Sequence, residues 1–174
     1  LRLGPDDLPS GTAARAVAGD WRLHAGGVDF LISDLPHAVG IHRSGGNLVD
    51  VVVDGTDQFD GMSTWFGRVF PRQAAYDTLL PGDGSLRASG HDDGDPALLV
   101  ETTWALAGPG SPGVLARLRV TTRVTNSSAT ARTGLALGDI VGWGELQHFA
   151  PGPGYALGGT DAPLPWVGAQ ADGV

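Results

Sequence analysis

The chain has 174 residues, 41% of them apolar, with 28 glycines, 12 prolines, no cysteine and a formal charge of -8. Without cysteine there is neither a disulfide nor a thiolate metal site. The acidic balance argues against nucleic acid, which needs a basic face to displace counterions, and the apolar runs fall far short of the roughly 20 residues of a membrane-spanning helix.

Residues 1–18, rich in Pro, Gly, Asp and Ala, read as a lead-in arm, in which the alanines of 11–18 favour a helical turn. Residues 19–174 read as one β-sandwich domain. Its opening is a hairpin: strands over 20–24 and 28–33, joined by Gly26-Gly27, a pair that accepts positive φ at both central positions. A loop over 36–46 carries His37, His42 and Arg43. The β-branched run of 47–54 is a third strand, and 55–61 a polar loop. Strands over 62–70 and 72–80 are broken at Pro71. A short strand over 86–90 is followed by the acidic turn His91-Asp92-Asp93-Gly94-Asp95-Pro96.

The strand over 97–106 puts Leu98, Val100, Thr102, Trp104 and Leu106 on one face. A Pro- and Gly-rich link leads to the long central strand expected over 114–125. There Val, Ala, Leu, Val, Thr and Val alternate with Arg117, Arg119, Thr121, Arg123 and Thr125, giving one dry face and one solvated, arginine-bearing face. Glu101 opposite an arginine of that stripe would favour antiparallel pairing. Asn126-Ser127-Ser128 supplies turn chemistry, and a return strand over 132–141 is expected to complete the pair. Turn signals recurring every 8–12 residues or so mark an all-β, mostly antiparallel two-sheet sandwich of the super-sandwich type. The close of the chain, 169–174, lacks a finishing element and reads as a domain cut from a longer protein.

Chemistry-bearing motifs are sparse. The five histidines form no His-x-His pair and no His-Glu-x-x-His helix, so no metal site or cofactor is expected. The acidic turns at 54–61 and 91–95 carry oxygen ligands but lack the calcium-loop spacing, and Asp and Gly are ordinary turn residues. No serine lies in Gly-x-Ser-x-Gly. The remaining candidate is the segment after the return strand, where Asp139, Trp143, Glu145, Gln147, His148 and Tyr155 sit among glycines. Aromatic faces beside carboxylate, amide and imidazole groups suit sugars, which stack their apolar face and hydrogen-bond through hydroxyls. We take Asp139, Trp143, Glu145, His148 and Tyr155 as the candidate ligand-binding set. In the alternative reading, Trp143 and Phe149 plug the end of the core and His148 bonds backbone.

The stretches Gly19-Asp20-Trp21-Arg22-Leu23, Val28-Asp29-Phe30-Leu31-Ile32 and Ser44-Gly45-Gly46-Asn47-Leu48-Val49-Asp50 resemble the N-terminal β-domain of bacterial CehA/McbA-like metallohydrolases. The later stretches 120–126, Gly138-Asp139-Ile140 and His148-Phe149-Ala150-Pro151-Gly152 are similar to a galactose-mutarotase-type super-sandwich. The resemblance implies a non-catalytic accessory module of an exported or cell-surface bacterial protein, with a PHP-type hydrolase domain downstream. Three functions are weighed: a module that contacts carbohydrate or packs on such a hydrolase; a sugar-active enzyme, mutarotase-like or glycoside-cleaving, using Glu145, His148 and Asp139; and an assembly subunit whose open C-terminal strand edge pairs with a second chain.

Overall fold

Alternating apolar and polar residues become strands throughout, and no helix longer than one 3-10 turn, Pro5–Asp7, interrupts them among the described residues. The structure, a computed structural model, describes residues 1–58, 61–66, 72–108, 112–143, 147–149 and 168–170, the last two segments as backbone strands. The first sheet holds β1 (Trp21–Ala25), β2 (Val28–Ile32), β3 (Leu48–Val53), β5 (Gly61–Phe66) and β10 (Leu137–Gly142) in that order, with the two-residue β4 (Thr56–Asp57) alongside β3. The second holds β6 (Ala74–Gly82), β7 (Ser85–Asp92), β8 (Asp95–Leu106) and β9 (Leu118–Asn126) in sequence order. A separate pair joins β11 (Gln147–Phe149) to β12 (Gly168–Gln170). Among the described residues every pairing between these strands is antiparallel, so the all-β two-sheet sandwich is what the chain forms.

The β1–β2 hairpin turns at Gly26 and Gly27, with φ of 57° and 81°, the positive pair that a tight two-residue turn demands. Between the sheets, Leu23, Val28, Phe30, Ile32 and Leu48 meet Leu86 and Trp104, while Phe66 meets Ala74, Tyr76, Ala88 and Val100. The partner strand is as expected: Leu98, Val100, Thr102 and Trp104 of β8 are buried, and β9 pairs with it so that Glu101 lies opposite Arg123.

Two expectations are corrected. The strand expected over 114–125 begins only at Leu118, and it is an edge strand of its sheet rather than a central one. Ahead of it the chain leaves the ladder to cross the β1–β2 turn, where the carbonyl of Leu115 lies 1.9 Å from the place a side chain on Gly26 would occupy. The return strand is also shorter, 137–142, and it does not pair with β9. Residues 127–136 carry the chain to the other sheet, where β10 takes the free edge of β5 with Leu137 opposite Phe66 and Gly142 opposite Gly61. The Asn126 carboxamide oxygen accepts the Ser128 N–H at 3.1 Å, releasing the chain from β9, and Arg132 is anchored on Asp95 at 2.6 Å.

The first sheet is covered on its outer face too. Leu3 of the opening segment packs with Leu31, Val49 and Val52, flanked by Ala16 and Val39. Two buried carboxylates pin that cover. Asp20 accepts the N–H groups of Val17 and Asp34, and His37 Nδ1 stands 2.9 Å from it. Asp50 accepts the N–H groups of Arg15 and Ala16. Burial pushes the Asp50 carboxyl up to about 6, and repulsion from Asp57 and Asp20 adds to this against the two backbone bonds. Its folded pKa therefore lies above the ordinary 3.8. The stabilising contribution is complete below the unfolded pKa and is lost as pH rises through the folded one. In urea unfolding, the stability of wild type relative to Asp50→Asn should fall by about 1–3 kcal/mol between roughly pH 4 and pH 7. Parallel pH profiles for the two proteins would refute the assignment.

Candidate functional site

Strand β10 carries the first residue singled out from the sequence. Asp139 sits opposite Thr64, whose hydroxyl lies 2.9 Å from its Oδ1 and donates to it. From Thr64 a chain of hydroxyls crosses between the sheets: 3.4 Å to Thr122, 3.0 Å on to Thr102, and 2.7 Å to the Tyr76 hydroxyl. Tyr76 is buried and its phenol is pushed upward, chiefly by desolvation. Asp139 as a whole residue is exposed, yet burial of its carboxyl end raises its pKa. Asp139 thus terminates an internal polar seam, its carboxyl already engaged by one hydroxyl. Trp143 follows β10 and is half-buried. His148 lies in β11 opposite Ala169, where only the backbone is described. Glu145 and Tyr155 lie outside the described residues.

The acidic turn is consumed by arginines. Asp92 is held by Arg72 and the Gly94 N–H, Asp93 by Arg43 at 3.1 Å, and Asp95 by Arg132. Arg132 holds the Asp95 carboxyl below its usual range. Among the described residues no group of three or more His, Asp or Glu side chains is placed to hold a metal ion.

A different surface gathers ligand-binding chemistry. On the second sheet the residues between the buried ones point outward, and register brings them into rows. Ser89 lies opposite Glu101, and Glu101 opposite Arg123. The next row is His91, Leu99 and Thr125. At the β6 edge the register shifts between Tyr76 and Thr78, leaving Asp77 as an extra residue beside the first row. The resulting groove, of about 420 Å³, is lined by Asp77, Ser89, Gly90, Leu99, Val100, Glu101, Arg123 and Thr125. Its floor includes Leu99, a large apolar side chain left 46% exposed.

The electrostatics leave this groove open to a ligand. Among the described residues Glu101 has only a loose ion pair with Arg87, at 3.7 Å, both side chains nearly half exposed. Such a surface pair contributes about 0–1 kcal/mol and is readily exchanged. Arg123 makes no ion pair or hydrogen bond through its guanidinium among the described residues. Alternation in the sequence had placed Arg119 and Arg123 on the solvated face, and there they are exposed. What it did not reveal was the row, because a row needs the registers of three strand pairs and the bulge at Asp77.

The chain matches no protein-family model, no curated protein and no solved structure.

Proposed function

We propose that this chain is a non-catalytic, carbohydrate-binding β-sandwich module of a larger exported or cell-surface bacterial protein, of the kind that the CehA/McbA-like resemblance implies. The single observation that carries the reading is the groove across β6–β9, in which an unpaired Arg123 faces Glu101 and Asp77 over the exposed Leu99. Neighbouring hydroxyls of a sugar both donate and accept. Carboxylates at Asp77 and Glu101 accept from them, the Arg123 fork donates two parallel bonds, and Ser89 and Thr125 do either. Leu99 offers the apolar patch on which a sugar ring rests its C–H face. A groove open along the sheet suits a glycan chain better than a free monosaccharide.

A glycan array followed by calorimetry on the hits tests this. Arg123→Ala should weaken a bound oligosaccharide about tenfold or more, the loss of a charge-assisted hydrogen bond worth roughly 1.5–3 kcal/mol, without changing the melting temperature. Silence across neutral and acidic glycans would end the proposal.

The packing reading has its own support. The inward residues Val120, Thr122 and Val124 of β9 are only half-buried where their β8 neighbours Trp104, Thr102 and Val100 are fully so, and Leu137 of β10 is exposed. A downstream hydrolase domain or a second chain seated on that side would complete their burial. Concentration-dependent mass in light scattering, abolished by Leu137→Asp, would support the second chain.

A further inference from the structure

On the opposite side of the sandwich from the groove, the first sheet carries a second recess. Ser63 lies opposite Ile140 and Gly61 opposite Gly142 across β5 and β10, so all four share the sheet's outer face. The glycine pair leaves part of the floor without side chains. Residues 39–42 of the β2–β3 loop and Arg15 of the opening segment close over it, giving a cavity of about 260 Å³. That is below the roughly 300–1,000 Å³ of drug-sized ligand sites and suits a molecule of metabolite size.

Its lining divides into two kinds. Val39, Ile41 and Ile140 form apolar walls. Arg15, His42 and Ser63 supply polar groups, and the described lining includes no carboxylate, in a chain that is strongly acidic overall. The Arg15 guanidinium has no ion-pair partner among the described residues, while its backbone N–H is fixed at 3.0 Å on Asp50, which holds the residue at the rim. Ser63 is buried, and its oxygen accepts the Trp65 indole N–H at 2.7 Å, which leaves its own O–H free to donate. His42 Nδ1 is shielded from water and has no partner among the described residues, an unmade bond that a turn of the ring toward a bound oxygen would complete.

We infer that this cavity binds a small organic carboxylate with an apolar body, branched-chain or aromatic: its carboxylate on Arg15, Ser63 and His42, its body against Val39, Ile41 and Ile140. The fork of Arg15 matches a carboxylate's two oxygens. Burial lowers the His42 pKa, so near neutrality the ring is an uncharged hydrogen-bonding group and Arg15 supplies the charge.

The test uses the full chain and four probes, benzoate, isovalerate, benzyl alcohol and inorganic phosphate, followed by backbone amide shifts and by calorimetry. Benzoate or isovalerate should saturate shifts at residues 15, 39–42, 61–63 and 140–142. Benzyl alcohol, which keeps the ring but replaces the carboxylate with a neutral hydroxymethyl group, and phosphate, charged but without an apolar body, should each bind at least about tenfold more weakly. Arg15→Gln, at an exposed side chain, should weaken benzoate by about tenfold at unchanged melting temperature. Ile41→Asp, at a position 54% exposed, should do the same by placing a carboxylate at the rim. Arg123→Ala should leave benzoate binding untouched, so failure of the glycan reading and failure of this one are separable. The inference is overturned if neither carboxylate shifts those amides, if benzyl alcohol or phosphate equals benzoate, or if Arg15→Gln binds as wild type does.

Discussion

Trp104→Ala should lower the unfolding free energy by about 3–5 kcal/mol, enough to leave a domain at the lower end of ordinary stability, about 5 kcal/mol, partly unfolded near 37 °C. Trp104 is 1% exposed and is the largest of the fully buried side chains. It stands on β8 between Leu86 of β7 and Val120 of β9, directly opposite each, and its ring closes the cluster that joins the two sheets. Its indole N–H also donates to the Gly46 carbonyl at 3.2 Å, so truncation both opens a cavity and strands a buried acceptor at the β2–β3 loop. Trp104→Phe separates the terms: it keeps most of the ring and loses the donor, and should cost only about 1–3 kcal/mol. Urea unfolding followed by circular dichroism reads both. A loss below about 1.5 kcal/mol for the alanine variant would mean that this cluster does not hold the sheets together.

How far the chain announces this arrangement depends on what each strand must do. A strand buried on one face writes its role as strict alternation, and β8 and β9 were legible for that reason, down to Glu101 opposite an arginine. The tight turn was legible because few residue pairs accept the backbone that Gly26 and Gly27 adopt. β10 was legible as a strand and misread as a hairpin partner: alternation reports which face is dry and is silent on which edge the strand joins. The run Leu48-Val49-Asp50-Val51-Val52-Val53 breaks strict alternation because the opening segment covers the outer face of the first sheet, and a strand buried on both faces has no polar side to display. The same cover explains Asp50, an acid in an apolar run that looks out of place until its two backbone donors from Arg15 and Ala16 are seen. The groove was least legible, since its polar residues come from four strands whose registers no short-range pattern encodes.

Gly90→Ala should be among the most damaging single-methyl changes, at about 3 kcal/mol or more, toward the upper end of what overpacking does. A Cβ on Gly90 would stand 1.9 Å from the Ala75 carbonyl oxygen and 2.7 Å from Tyr76 Cα. Both are backbone atoms of the adjacent strand, so no side chain can swing aside, and relief requires β6 and β7 to part. They would part beside the register shift between Tyr76 and Thr78. The displaced residues would then include Tyr76, whose hydroxyl ends the polar seam, and Asp77, which lines the groove. Gly138→Ala is the matched control: the same methyl on β10 would meet nothing within 4 Å, and stability should stay within about 0.5 kcal/mol of wild type. The pair also bears on function. If the groove reads glycans, a folded remnant of Gly90→Ala in stabilising osmolyte should lose oligosaccharide affinity while Gly138→Ala retains it. A Gly90→Ala protein as stable as wild type would show that β6 and β7 do not approach as closely as this register requires, and the position of Asp77 in the groove would fall with it.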